Sequence, residues 1–351
     1  MKSKNNTNIK KEKTNIFNTN PLEIKLLSNI SINSYCKNYL DNTFATFKSY
    51  NNNIIYIIYT NKFRSIICFN LISNQIINEI KYAHNKYISN FRHYYDEENK
   101  RDLIISLSND DNNLKLWIIH NFECLLNLLN VNDTGWLTSA CFLKENNNNY
   151  IITSNNYNGI NTLEYIKVFD LNGNIIKEMN NSNYSTLFVD TYYDKKLSKN
   201  FIITGNKGFS QSYDYIENKL YFKYAENYQE TYFHMSIIID DSEKLIKLME
   251  SSCIGVIRIW DFHSADLLNK IKVSNEWLNS ICLWNKDYLF VGCKDNTIKL
   301  IDLNTNEIVN ILKGHNKRIL TIKKIIHPKY GEYLISQEAD EGHIKLWKIP
   351  H

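Results

Sequence analysis

Short apolar runs with a period of two recur along this chain, and each follows the same neighbours. Leu114-Lys115-Leu116-Trp117 and Ile344-Lys345-Leu346-Trp347 are both preceded by a polar turn and, before that, by another apolar run, Leu103 to Ser108 or Tyr333 to Ser336. Alternation bounded by turn residues predicts β-hairpins. Taking the last residue of the second run as an anchor, equivalent strands end at Phe69, Trp117, Phe169, Tyr213, Trp260, Ile301 and Trp347, which makes seven copies. An acid follows four of them, in Phe169-Asp170, Tyr213-Asp214, Trp260-Asp261 and Ile301-Asp302. Self-similarity at a period of roughly 40 to 50 residues is the mark of a repeat architecture.

Two copies carry a fuller set of polar residues: His84, Ser106, Asp110 and Trp117, and then His315, Ser336, Asp340 and Trp347. The gaps are 22, 4 and 7 residues in the first and 21, 4 and 7 in the second. A His that far upstream lies beside the hairpin only if the intervening segment forms a third antiparallel strand. Indole N–H, hydroxyl, imidazole and carboxylate would then satisfy one another along one edge of a small sheet, which matters because an unpaired buried donor costs roughly 1 to 3 kcal/mol. The same residue types could make a Ser/His/Asp nucleophile, but such triads are recognised by geometry rather than by type. Occurring twice and ending in Trp, the set reads as a structural staple.

Ala83-His84 and Gly314-His315, taken with Asp295-Asn296-Thr297-Ile298-Lys299-Leu300-Ile301-Asp302 and Ile257-Arg258-Ile259-Trp260-Asp261, resemble the Gly-His and Trp-Asp signatures of WD40 repeats over nearly the whole chain. The resemblance implies an all-β fold, a seven-bladed β-propeller of four-stranded antiparallel blades around a central channel. Several copies depart from the pattern. The third and fourth lack the turn Asp and the Trp, the fifth has Cys253 in place of the acid, and the sixth has Val291 at the hydroxyl position and Ile301 for Trp. Those blades are expected to rely on packing instead of the staple. The strand ending at Trp347 has only four residues after it, whereas Leu22-Glu23-Ile24-Lys25-Leu26-Leu27 precedes the first full repeat. This N-terminal strand is expected to pair with the last blade as its fourth strand and so to cover an exposed edge.

Residues 20–351 are therefore assigned to the propeller and residues 1–19 to a disordered tail rich in Lys and Asn. The formal charge is +4. Lys2, Lys4, Lys10, Lys11 and Lys13 against Glu12 account for all of it, so the body is neutral. That balance, with only five Arg, argues against a nucleic-acid surface, where clustered cations neutralise phosphates. Seven Cys without CxxC spacing, and nine His without HExxH spacing, point to no metal site and no cofactor. No run approaches a membrane span and the N-terminus lacks a signal-peptide core, which points to the cytoplasm or nucleus. The Lys-rich tail is read as a solvated end.

In WD40 proteins the usual binding face is the one carrying the loops that lead into each blade. Residues expected to point there are Thr43, Tyr87, Trp136, Tyr184, Tyr232, Trp277 and Arg318, five of them aromatic. Trp, Tyr and Arg dominate the centres of interfaces, so these side chains, Thr43 apart, are the expected partner-binding set. The competing account is that they wedge between blades. Asp96-Glu97-Glu98 and Asp240-Asp241 fall in loops on the opposite face and are expected to be solvated charges. The resemblance implies a non-catalytic scaffold or adaptor for other proteins or peptides, itself a monomeric ring within a larger complex. Trp260-Asp261-Phe262-His263 lacks the Trp-Asp-x-Arg of cullin-4 receptors, and Phe63-Arg64-Ser65 is not the Phe-Arg-Arg-Gly of phosphoinositide-binding propellers. The alternatives are an RNA-binding propeller that stacks bases on an aromatic mouth, or an enzyme with a site in the channel.

Overall fold

A computed structural model describes residues 25–30, 43–52, 54–129, 131, 135–156, 165–180, 186–226, 232–240, 245–327, 331–340 and 343–349. For residues 25–30 and 232–240 the description is of the backbone. The tail assigned to residues 1–19 lies outside these residues.

Among the described residues the chain makes seven four-stranded antiparallel sheets. In chain order they cover residues 45–80, 90–128, 136–180, 186–225, 232–272, 278–312 and 319–348 and are numbered here as blades 1 to 7. The first strand of every blade packs against the first strands of both neighbours, and Ala45–Lys48 of blade 1 meets Ile319–His327 of blade 7 in the same way. That contact closes a ring with the first strands innermost. Polar side chains stitch the seam: Thr43 Oγ1 lies 2.9 Å from Thr321 Oγ1 and donates to Gln337 Oε1 at 2.5 Å.

The core follows from the alternation. Seven large apolar clusters fill the seven gaps between neighbouring blades. Ile55, Ile57 and Tyr59 of one strand face blade 7, while Tyr56 and Ile58 of the same strand face blade 2. Both faces of an inner strand are thus buried, which is why Ile55–Thr60 reads Ile-Tyr-Ile-Ile-Tyr-Thr without a polar face. The fourth strands, at the perimeter, are largely exposed instead, as Gln75–Ile80 is, with no residue of it fully buried.

A feature not visible in the sequence repeats at every perimeter. Between the third and fourth strands the pairing skips one residue of the fourth strand beside the anchor: Cys68 pairs with Asn78 and Phe69 with Ile76, leaving Ile77 extra. The extra residue is Leu125 in blade 2, Ile176 in blade 3, Tyr221 in blade 4, Leu268 in blade 5 and Val309 in blade 6. Such bulges increase local twist and bend the edge strand away from a flat template.

Blade 7 takes its fourth strand from Lys25–Ile30, antiparallel to Ile344–Lys348. Leu26 pairs with Trp347 and Ser28 with Leu346, so Leu27 is the extra residue and the bulge falls where it does in the other six blades. The sequence expectation set this strand at Leu22 to Leu27. The described strand lies three residues later, and Leu22, Glu23 and Ile24 lie outside the described residues.

Candidate functional site

The staple residues sit at the end of each blade that carries the loops leading into it. Ser106 is on the second strand of blade 2 and Trp117 at the anchor of the third, and their pairing places both beside the loop residue His84. Ser106 Oγ is 2.7 Å from His84 Nε2 and accepts the Trp117 indole N–H at 2.8 Å. Blade 7 repeats the geometry, with Ser336 Oγ 2.7 Å from His315 Nε2 and 2.7 Å from Trp347 Nε1. The hydroxyl accepts from indole and donates to imidazole, so neither ring carries an unpaired buried group at that position. Burial holds the His84 imidazole neutral, pushing its pKa down to about 3, and Lys115 adds to the shift. A serine spent on an indole, beside a histidine whose Nδ1 has no hydrogen-bond partner among the described residues, is not an activated nucleophile.

The acid of the staple differs from the expectation. In blade 7 the carboxylate that meets the histidine is Glu338: its Oε2 lies 3.1 Å from His315 Nδ1 and accepts the N–H groups of Asn316 and Lys317. Desolvation would raise the Glu338 pKa, but these donors outweigh it and hold the group at about 2. Asp340 is exposed, in a left-handed backbone conformation with φ 63° that turns it from the histidine. In blade 2 Asp110 is likewise exposed, and the turned-in acid is its neighbour Asp111, whose carboxylate oxygens are shielded from solvent. Equal spacing in the two copies suggested one role for Asp110 and Asp340, but the turns place the acid by conformation.

Of the expected partner-binding residues, Trp136 begins the inner strand of blade 3 and is 57% exposed. Its loop is fixed from blade 2, where Asn112 donates to the Gly135 carbonyl at 2.8 Å and accepts from the Leu137 N–H at 2.8 Å. Trp277 is half-buried at the entrance to blade 6, with Lys294 Nζ 4.9 Å from its ring centre. Tyr87 and Arg318 are half-buried at the entrances to blades 2 and 7, and the Arg318 carbonyl accepts from Ala339 N–H. Tyr232 opens the inner strand of blade 5, opposite Ser252. Tyr184 lies outside the described residues. Among the described residues no group of three or more His, Cys, Asp or Glu could hold a metal ion.

No protein-family profile matches the chain. Over 115 residues it is 26% identical to the U3 small nucleolar RNA-associated protein 21 homolog of Schizosaccharomyces pombe, a stretch covering 33% of this chain and 12% of that one. Over 101 residues it is 28% identical to the probable coatomer subunit beta' of the same organism, covering 28% of this chain and 12% of the relative. Myosin heavy chain kinase C of Dictyostelium discoideum is 32% identical over 68 residues, 19% of this chain and 8% of that one. The chain thus spans only a small part of each relative's length. Among solved structures, Chaetomium thermophilum Raptor superposes with a TM-score of 0.68 over 93% of this chain and 30% of that one, at 13% identity, which shows a shared fold.

The chain is a seven-bladed β-propeller. Two of the blades expected to do without polar staples, blades 5 and 4, have other ones. In blade 5 the Trp260 indole donates to Glu250 Oε1 at 2.9 Å, and Ser210 of blade 4 donates to the other oxygen of the same buried carboxylate. In blade 4 Tyr224 takes the place of the indole, 3.0 Å from Ser212 Oγ and donating to the Phe262 carbonyl at 2.7 Å. Blade 6, with Val291 and Ile301 both fully buried, relies on packing as expected.

A second set of loop supports was missed. Two residues before the anchor stands a cation in five blades: Lys115, Lys167, Arg258, Lys299 and Lys345. Lys167 donates to the Val131 carbonyl at 3.2 Å, Lys299 to Val273 at 3.1 Å, and Lys345 to Gly314, in each case a residue of the connection entering that blade. Arg258 pairs with Glu226 of the blade 5 connection. The signal was present as a column of basic residues on otherwise apolar strands. On the opposite face Asp96 is not a solvated charge as expected. It is buried and bonded to Arg101 at 2.9 Å and Asn99 at 2.8 Å, while Glu97 and Glu98 are exposed.

Proposed function

We propose that this propeller is a non-catalytic interaction platform that holds other proteins or peptides on its loop face, in the cytoplasm or nucleus, as one ring of a larger assembly. The observation that carries the reading is Trp136. A tryptophan more than half exposed at the start of an inner strand, on a loop fixed by two Asn112 bonds, offers a large apolar surface at little further entropic cost. Trp277, Tyr87 and Arg318 extend the set, and Tyr232 and Tyr184 are assigned to it from the sequence alone. In support, His84 and Ser106, and His315 and Ser336, at that face are committed to the two indole staples. The relatives named above include a small nucleolar RNA-associated protein and a coatomer subunit, and membership of a multi-protein assembly is the property carried over here as a proposal.

The test is affinity capture with the full chain, comparing wild type with the Trp136→Ala/Trp277→Ala variant. Loss of the captured proteins with an unchanged melting curve supports the platform. Undiminished capture refutes it, and a lowered melting temperature assigns the two rings to packing between blades. Retention on single-stranded RNA that falls steeply with salt would favour the nucleic-acid alternative.

A further inference from the structure

The neutral body hides a local asymmetry on the loop face. The turn 61–65 of blade 1 and the connection 81–87 into blade 2 carry Lys62, Arg64, Lys81 and Lys86 and no acid. The equivalent turn of blade 2 carries Asp110 and Asp111 and no cation. The two basic loops form one corner, since Arg64 Nη1 donates to the Asn85 carbonyl at 2.5 Å. The Asn61 side chain accepts from the N–H groups of Phe63 and Ser65 at 2.9 and 3.1 Å and so fixes the turn.

Two aromatic rings stand out of this corner. Phe63 is 58% exposed, with Lys62 Nζ 5.4 Å from its ring centre, and Tyr82 is 68% exposed. Tyr82 is also held at φ 52°, a left-handed conformation that is costly for a bulky residue and that persists only where its surroundings enforce it. Exposed aromatics rimmed by cations match a partner that is apolar and acidic at once. Glu79, on the strand Gln75–Ile80 and 3.4 Å from Asn61 Nδ2, is the nearby acid and lies on the perimeter side of the corner.

We infer that this corner docks an acidic peptide segment, with an apolar side chain seated against Phe63 and Tyr82 and carboxylates facing Lys62, Lys81 and Lys86. The inference rests on the loop face being the binding face, and it adds a chemistry and a location outside the Trp136 and Trp277 set. An acidic protein segment fits better than RNA because Lys62, Arg64, Lys81 and Lys86 sit in two adjacent loops joined by the Arg64–Asn85 bond, whereas single-strand binding uses a groove of positive charge along the backbone.

The experiment is fluorescence anisotropy of the full chain with a labelled peptide of alternating Glu and Leu, with a Gln/Leu peptide of the same length, and with labelled oligouridylate. The Glu/Leu peptide is expected to bind and the Gln/Leu peptide to bind at least about tenfold more weakly. Lys62→Glu/Lys81→Glu/Lys86→Glu should weaken the Glu/Leu complex by about tenfold or more, as should Phe63→Ser/Tyr82→Ser. Both variants alter exposed side chains and are expected to keep the wild-type melting curve; Trp136→Ala/Trp277→Ala should leave this affinity unchanged, so the corner and the mouth fail separately. Equal affinity for the two peptides, or an undiminished complex after charge reversal, overturns the inference. Oligouridylate binding more tightly than the Glu/Leu peptide overturns it in favour of RNA.

Discussion

Replacing Ser336 by Ala removes one oxygen and disturbs two rings. Ser336 Oγ is the hydrogen-bond partner of Trp347 Nε1 and His315 Nε2, each at 2.7 Å, and both rings are nearly inaccessible, Trp347 at 2% and His315 at 7% exposure. No solvent replaces the lost hydroxyl, so an indole donor and an imidazole acceptor are left unsatisfied, at roughly 1 to 3 kcal/mol each. We expect Ser336→Ala to cost ~3 kcal/mol. Trp347→Phe removes the indole donor as well as apolar area, and the Ser336→Ala/Trp347→Phe pair should cost less than the sum of the two by about 1 to 2 kcal/mol. Blade 6 already has the apolar form of this arrangement, with Val291 and Ile301 at the two positions. The assay is urea unfolding followed by far-UV circular dichroism, with midpoints compared at constant slope. A Ser336→Ala variant within about 0.5 kcal/mol of wild type, or strict additivity of the two changes, would refute the staple.

Acid should weaken the ring through the same residues. His84 is held neutral with a pKa of about 3, so the unfolded chain takes up a proton below the ordinary histidine value near 6.5 that the folded chain refuses until about pH 3. Its contribution is intact above that ordinary value and falls as pH drops, by ~2 kcal/mol at pH 5. Glu338, held at about 2, adds a loss that begins below its unfolded value and runs in the same direction. Chemical denaturation at pH 7.5 and pH 5 checks the histidine, a further step to pH 3.5 checks Glu338, and equal midpoints across a step would contradict that contribution. Deleting Lys25–Ile30 exposes the backbone edge of Ile344–Lys348, and we expect a lower melting temperature that a peptide spanning residues 20–30, added in trans, partly restores. Gly255 has φ +77°, and a Cβ there would lie 2.0 Å from the Ser274 carbonyl oxygen, so Gly255→Ala should unfold at lower temperature than wild type by several degrees. Arg92 of blade 2 donates to Ala140 of blade 3 at 3.2 Å and Val189 of blade 4 at 3.4 Å, and Arg92→Ala should raise hydrogen exchange in those two inner strands before others.

The ring was legible because its determinants are periodic. Each of the seven anchors falls on the third strand of a sheet, and inner strands buried on both faces read as unbroken apolar runs. What hydrogen-bonds to what was less legible. Glu338 was passed over for Asp340 because a repeat was matched by spacing, whereas the turn chose by backbone conformation. Glu250 and Tyr224 were missed because they satisfy indole and hydroxyl groups from positions where the repeat pattern has other residue types. The perimeter bulges leave no mark in composition beyond an apolar residue beside an apolar residue. Of the loop face, Trp136 and Trp277 were named from the sequence, but Phe63 and Tyr82 were not, because exposure of an aromatic is decided by the fold around it.

On the function proposed above, this ring works by holding partners on its loop face. Quantitative affinity capture from the native cell, run in parallel for wild type, Trp136→Ala/Trp277→Ala and the opposite-face variant Tyr50→Ala/Tyr193→Ala, tests it most directly, since Tyr50 and Tyr193 are also exposed, at 71% and 51%. We predict that the loop-face variant loses the wild-type partners while the opposite-face variant keeps them. Loss confined to the opposite-face variant, or retention in both, would contradict the claim.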